Sequence, residues 1–169
     1  MRRATLFLSV VLVLSATLAA AVPPPPGPFA QGKVRVGLYG GAASTLGNTY
    51  VLLGAGAGFY VLNGLEAGLD YEAWIGASPS IQKLTPQLRY VIWQVGHIKP
   101  YAGLFWRHTF MGDNWNDYDS WGSRFGLAFQ QGRSYVAVGV VYERYIDNDD
   151  ILFTDDSQIY PEIAFWLSF

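Results

Sequence analysis

Ile159-Tyr-Pro-Glu-Ile-Ala-Phe-Trp-Leu-Ser-Phe169 is the stretch that decides the fold. Read backwards from the end, Phe169, Leu167, Phe165 and Ile163 take every second place, with Ser168, Trp166, Ala164 and Glu162 between them. That period of two belongs to a β-strand with two unlike faces. The apolar pattern runs to the last residue, where the final residues of a soluble domain usually fray. A strand apolar on one face and mixed on the other suits the wall of a barrel standing in lipid. An edge or core strand of a soluble β-sandwich is the competing reading.

The same alternation recurs upstream. A first strand over about Lys33–Ala43 puts Val34, Val36 and Leu38 on one face and Arg35, Gly37 and Tyr39 on the other. A second, about Thr49–Leu62, sets Val51, Leu53, Ala55, Ala57, Phe59 and Val61 against Gly54, Gly56 and Gly58, and closes on Asn63-Gly64, a strong two-residue hairpin signal. The third sets Leu65, Ala67, Leu69, Tyr71, Ala73 and Ile75 against Glu66, Gly68, Asp70, Glu72 and Trp74. Three acids on one face cannot meet lipid, so that face must be the lumen. The fourth strand, about Ile81–Trp93, points Lys83, Gln87 and Arg89 inward, and Pro86 on its outer face is expected to mark a bulge. Strands five, six and seven, about Ile98–Thr109, Trp121–Gln130 and Ser134–Tyr145, send Arg107, Arg124 and Glu143 inward. The C-terminal stretch is strand eight.

Composition agrees with an envelope protein. Of the 169 residues only 14% are charged, against about a quarter in soluble domains. There is no Cys, so an exported chain must be held by its backbone ladder and packing. Met1-Arg2-Arg3, the uncharged apolar run Ala4–Leu18 and the small residues Ala19-Ala20-Ala21 read as a secretory signal peptide over residues 1–21. Its removal leaves nine basic against thirteen acidic residues, and no basic patch suggests nucleic acid. Residues 22–32 form a Pro-rich leader, in which Pro23-Pro24-Pro25-Pro26-Gly27-Pro28 reads as a short polyproline II spacer. The barrel occupies residues 33–169. No later apolar run reaches the roughly 18 residues of a membrane helix, so a spanning structure here must be a closed barrel.

The expected fold is therefore all-β, a single antiparallel up-and-down transmembrane barrel of about eight strands, with tight turns after strands two, four and six and longer loops after five and seven. The alternation ending in Phe169 resembles the C-terminal signal of bacterial outer-membrane barrels, in which Ile163, Phe165, Leu167 and Phe169 would be read by the barrel-assembly machinery. Over nearly all of the mature chain the pattern resembles the small OmpA/OmpX-type membrane barrels. The resemblance is one of architecture, without a family-specific internal motif. The peptidoglycan-binding domain that follows the barrel in OmpA is not expected, because the sequence stops at strand eight. The resemblance implies a Gram-negative cell outer membrane as the location, porin-like construction, outer-membrane lipid and lipopolysaccharide as partners, and a monomer. A soluble lipocalin-like barrel would place apolar residues inside instead. In strands three and six, however, the charged face carries the glycines.

Ordering the strands by direction brings Glu72, Lys83, Arg107, Arg124, Glu143 and Glu162 to similar height in the outer half of the lumen. Three acids and three bases can pair, and an eight-stranded barrel is just wide enough for its side chains to fill. Buried charges must be paired. The expectation is a plug of salt bridges with little conductance, and the alternative is a minimal ion pore whose partners swap.

Eight of the thirteen acids fall in two loops: Asp113, Asp117 and Asp119, then Asp147, Asp149, Asp150, Asp155 and Asp156. The alternating oxygens of Asp147-Asn148-Asp149-Asp150 could suit Ca²⁺, but the Gly and distal Glu of an EF-hand loop are missing. A solvated acidic rim is expected, with no metal or cofactor. Trp115, Tyr118 and Trp121 beside the acids suit interface anchors. Enzymes acting on lipid A acyl chains supply the other alternative. The deacylases carry a His-x-Ser motif, whereas His97 and His108 are followed two places on by Lys99 and Phe110. The palmitoyltransferases use a His near the mature start, and none precedes His97. Ser120 and Ser123 lie near His108 in the sequence, which keeps an unrecognised hydrolase open. The expected role is non-enzymatic: an integral scaffold or a surface for loop-mediated binding.

Overall fold

The computed structural model describes residues 27–45, 47–113, 115–146 and 156–169, with 41–45 described by backbone alone. The signal peptide, Pro23–Pro26 and the acids Asp147, Asp149, Asp150 and Asp155 lie outside the described residues. Eight strands follow in order: β1 (Val34–Thr45), β2 (Asn48–Leu62), β3 (Leu65–Ile75), β4 (Ile81–Val91), β5 (Ile98–Met111), β6 (Tyr118–Gln131), β7 (Ser134–Ile146) and β8 (Ser157–Ser168). Each pairs antiparallel with its neighbour in sequence, and β1 with β8 closes the barrel. The β2–β3, β4–β5 and β6–β7 turns share one end with both barrel termini, here the turn end; the opposite end is the loop end.

Polarity is inverted relative to a soluble protein. Val36, Leu53, Leu69, Leu88, Leu104, Phe125, Val138 and Phe165 are exposed, one on each strand, while Arg35, Glu66, Asp70, Arg89, Arg107, Arg124 and Glu143 are buried. The alternation of every strand dictates this, because one side of the pleat must fill a narrow lumen. No described helix is long and apolar enough to cross a membrane.

Two local expectations fail. Pro86 does not mark a bulge: it sits opposite Leu69 in an unbroken β3–β4 register. On the β5 side the pairing passes from Leu84–His108 to Gln87–Phe105 without a shift, so a missing donor interrupts the ladder but inserts no residue. The irregularity lies between Tyr60 and Leu62, just before the Asn63-Gly64 hairpin, where Gly64 takes φ +80°. Strand four also ends at Val91, two residues earlier than expected.

The described part of the leader is not an extended spacer. Residues 27–32 turn back under the barrel. Phe29 is 1% exposed, with its ring 5.9 Å from Tyr60 and 5.1 Å from Tyr135. Its carbonyl accepts from Gly64 N–H at 2.8 Å, and the Pro28 carbonyl accepts from Ser168 Oγ at 2.6 Å. Gln31 N–H donates to Asn63 Oδ1 at 2.9 Å. Lys99 Nζ donates to the carbonyls of Trp93 and Gly96, both at 2.8 Å, which ties the β4–β5 turn beside this cork.

Candidate functional site in the barrel lumen

The lumen is a column of charges in three tiers. At the turn end, Arg35 Nε donates to Glu66 Oε1 at 2.6 Å, and both residues are fully buried. The Arg35 guanidinium lies 3.5 Å from the centre of the Trp166 ring, and Arg89 approaches the same ring at 4.9 Å. Arg89 Nη2 donates to Gln87 Oε1 at 3.0 Å, and Gln87 Nε2 donates to Asp70 Oδ2 at 2.6 Å. In the middle tier Arg124 Nη1 lies 3.0 Å from Glu162 Oε2 and 3.8 Å from Asp70 Oδ2, so Asp70 links the two tiers.

Towards the loop end, Arg107 Nη1 donates to Glu143 Oε2 at 2.6 Å and to Tyr160 Oη at 2.9 Å, and its Nε donates to Thr85 Oγ1 at 3.0 Å. Tyr160 Oη and Ser120 Oγ donate to the two oxygens of Glu143 at 2.8 and 2.6 Å. The Glu143 carboxylate is thus satisfied on both oxygens, as a buried charge requires. Phe105 lies with the guanidiniums of Arg107 and Arg124 each 5.0 Å from its ring centre.

Glycines make the room. On Gly56 a Cβ would overlap the Asp70 carboxylate, on Gly58 that of Glu66, on Gly54 the Tyr39 ring and on Gly37 the Trp166 ring. The inward glycines are sockets for the bulky or charged side chains of neighbouring strands.

Of the six residues expected to form one network, four pair: Arg107 with Glu143 and Arg124 with Glu162. Glu72 and Lys83 stand opposite each other in the β3–β4 register, yet no ion pair joins them. Trp74 serves both: its Nε1 donates to Glu72, and Lys83 Nζ lies 4.2 Å from its ring centre. Arg35, Glu66, Asp70 and Arg89 share the inward faces with these six but stand at other heights, so grouping the inward charges at one height leaves them out. The signal was available in Gly54, Gly56 and Gly58, which mark where large inward groups need space. With Lys83 and Glu72 included, Arg35, Lys83, Arg89, Arg107 and Arg124 face Glu66, Asp70, Glu72, Glu143 and Glu162, while a sixth buried inward base, Lys99, is taken up by carbonyls of the β4–β5 turn.

The other candidate chemistry separates onto two sides of the wall. His108 Nδ1 lies 2.6 Å from Asp119 Oδ1 on the outer face, between the rings of Trp106 and Phe110. Ser120 is inside, bonded to Glu143, and Ser123 pairs with Leu104, four residues along β6 from Asp119. Four residues of strand span roughly 13 Å, far outside the reach of a base for its nucleophile. No group of three His, Cys, Asp or Glu among the described residues is arranged to hold a metal. Ile163, Phe165, Leu167 and Phe169 all lie exposed on the outer face of the last strand or at its end.

No protein-family model and no curated protein sequence matches the chain. Among solved structures, the N-terminal β-barrel domain of Pseudomonas aeruginosa OprF superposes with a TM-score of 0.61 at 12% identity, covering 82% of this chain and 98% of that one. Neisserial surface protein A (NspA) superposes with a TM-score of 0.52 at 15% identity, covering 80% and 93%. This chain has the fold of the small OmpA/OmpX-type membrane barrels. At these identities the likeness is one of fold, and the lumen described above is argued from this chain's own residues.

Proposed function

We propose that the protein is an integral outer-membrane barrel without enzymatic activity, a scaffold or a loop-borne binding surface whose lumen is a salt-bridge plug. The observation that carries this reading is the inverted polarity: apolar side chains cover the outside of every strand while the charges are buried within. An exterior this apolar around charges turned inward suits a wall that meets lipid rather than water. The paired tiers and the Phe29 cork support the plug. In this reading the turn end faces the periplasm, the acidic loops face outward, lipid and lipopolysaccharide surround a monomer, and the assembly machinery reads the Phe169 strand. The separation of His108 from Ser120 and Ser123 weighs against a lipid-modifying hydrolase.

A second reading, a narrow hydrated pore, draws on the buried polar atoms left without a hydrogen bond, among them Arg35 Nη1, Glu66 Oε2, Arg89 Nε and Arg124 Nε. Two measurements test the pair. Outer-membrane fractions run unheated and boiled on a detergent gel should show two mobilities, as a closed barrel resists detergent until boiled. Purified protein in a planar bilayer should show no sustained single-channel current. One unshifted band in the soluble fraction would overturn the membrane barrel, and steady currents would replace the plug with the pore.

A further inference from the structure

The β1–β8 seam is zipped over only part of its length. Arg35–Leu38 pair with Ser168–Phe165, and Val34 and Phe169 exchange both backbone bonds, at 3.2 and 2.9 Å. Beyond Leu38 and Phe165 the register stops, although β1 continues to Thr45 on its β2 side and β8 begins at Ser157 on its β7 side. In an antiparallel pair every second position makes both bonds. Continuing from Val34–Phe169, the next such positions beyond Leu38–Phe165 would be Gly40–Ile163 and Ala42–Pro161. Pro161 has no N–H to give, so the strand carries its own block against closure or against the addition of another strand.

Burial changes at the same place. The inward residues Ser168, Trp166 and Ala164 of β8 are buried, but the next, Glu162, has a side chain 16% exposed, and Tyr39 across the seam is only part-buried. The three most exposed large apolar residues described, Ile163 at 72%, Ile159 at 71% and Leu38 at 67%, flank the parted strands. An interrupted ladder and a part-buried inner wall thus coincide at the seam.

We infer that the loop-end half of the β1–β8 seam is a lateral portal, through which an acyl chain of the surrounding lipid reaches the inner wall at Tyr39 and Glu162. The inference rests on the membrane-barrel reading. The apolar rim of Leu38, Ile159 and Ile163 selects hydrocarbon over a polar solute. Pro161 disfavours a strand from a second copy. A lipid-facing edge is otherwise costly, since hydrocarbon satisfies no backbone group. An opening beside lumenal hydroxyls and a carboxylate offers polar partners from within.

The chain has no Cys, so introduced thiols report cleanly. Two outward pairs at equivalent positions are compared in protein reconstituted in phospholipid vesicles: V36C/L167C in the zipped part and G40C/I163C in the parted one. Zipped positions place Cα atoms about 5.5 Å apart, within disulfide range. Oxidation should staple V36C/L167C and leave G40C/I163C as free thiols. Equal stapling of both would overturn the portal, and a G40C–I163C bond between two chains would show a second copy at the edge instead. In parallel, Tyr39→Cys is labelled with a long-chain N-alkylmaleimide dissolved in the bilayer. It should react roughly tenfold faster than Ala137→Cys on the closed β7 wall, because access rather than thiol chemistry separates them. Equal rates, or labelling of Tyr39→Cys by a sulfonated aqueous maleimide alone, would refute access from lipid. The stapling and labelling use different residues, so either decides if a variant of the other fails to fold. The heat-shift of each variant is read on the same gel, so failure of the barrel itself shows there and is distinguished from failure of the portal.

Discussion

β8 has two edges with different fates. Against β7 it is registered from Ser134–Leu167 to Arg144–Ser157, nearly its whole length; against β1 it is registered only from Arg35–Ser168 to Leu38–Phe165. The β7 edge joins strands adjacent in the chain, whereas the β1 edge joins the two ends of the barrel across more than a hundred residues. Local connection thus goes with a long ladder, and closure is achieved beside fully buried groups: Arg35 on Trp166, with the Phe29 cork beneath. The two halves of the lumen differ in the same sense. Glu143 sits behind closed wall with a 3% exposed side chain, while Glu162 sits beside the parted seam at 16%.

The sharpest way to break that contrast is to remove one carboxylate from each half. Glu143→Gln leaves Arg107 with a neutral partner in a closed wall, and should cost about 3–5 kcal/mol, the usual penalty for an unmatched buried charge. Urea unfolding of vesicle-reconstituted protein would measure it. Phe29→Ala should come next, at roughly 3 kcal/mol for a buried aromatic lost from the turn end. It should lower the temperature at which the heat-shift occurs. If it leaves that temperature unchanged, the cork packs against the barrel without helping to hold it. Glu162→Gln should cost less, about 1.5–2 kcal/mol, because Arg124 keeps Asp70 at 3.8 Å. An equal loss for Glu143→Gln and Glu162→Gln would mean that the two halves are equally closed.

Much of this was readable from residue order, and the exceptions have physical causes. The alternation in β3 and β8 fixed both faces, since each strand has a single buried side and a one-residue slip would reverse it. Asn63-Gly64 located its hairpin because the turn is local chemistry. Counting inward charges by height set Arg107, Glu143, Arg124 and Glu162 at one level, but it left their partners unassigned. Three features did not follow. The partial seam depends on where two distant strands meet after the seven other strand pairings have set the barrel's stagger. Phe29 sits in a leader that composition makes look extended, and its burial is decided by a mouth built from Tyr60 and Tyr135. Lys83 and Glu72 face each other across strands, a register that residue order does not reveal. Trp74, two residues on from Glu72 along the same inward face, takes both groups instead.

That last substitution of an aromatic for an ion pair predicts the smallest effect. If Lys83 is held by the face of Trp74, replacing it with Met removes a cation–π contact worth about 0.5–2 kcal/mol and keeps the apolar stem against the ring. Met also removes the cost of keeping an ammonium in the lumen without an anion, which offsets the loss. The expected net change for Lys83→Met is therefore within about 1 kcal/mol of zero, against several for Glu143→Gln. Trp74→Leu should be worse than Lys83→Met, because it strands both Lys83 and the Glu72 carboxylate that the indole N–H satisfies. The reverse order, with Lys83→Met the more damaging, would show that Lys83 pairs with Glu72 directly and that the upper lumen is an ion network after all.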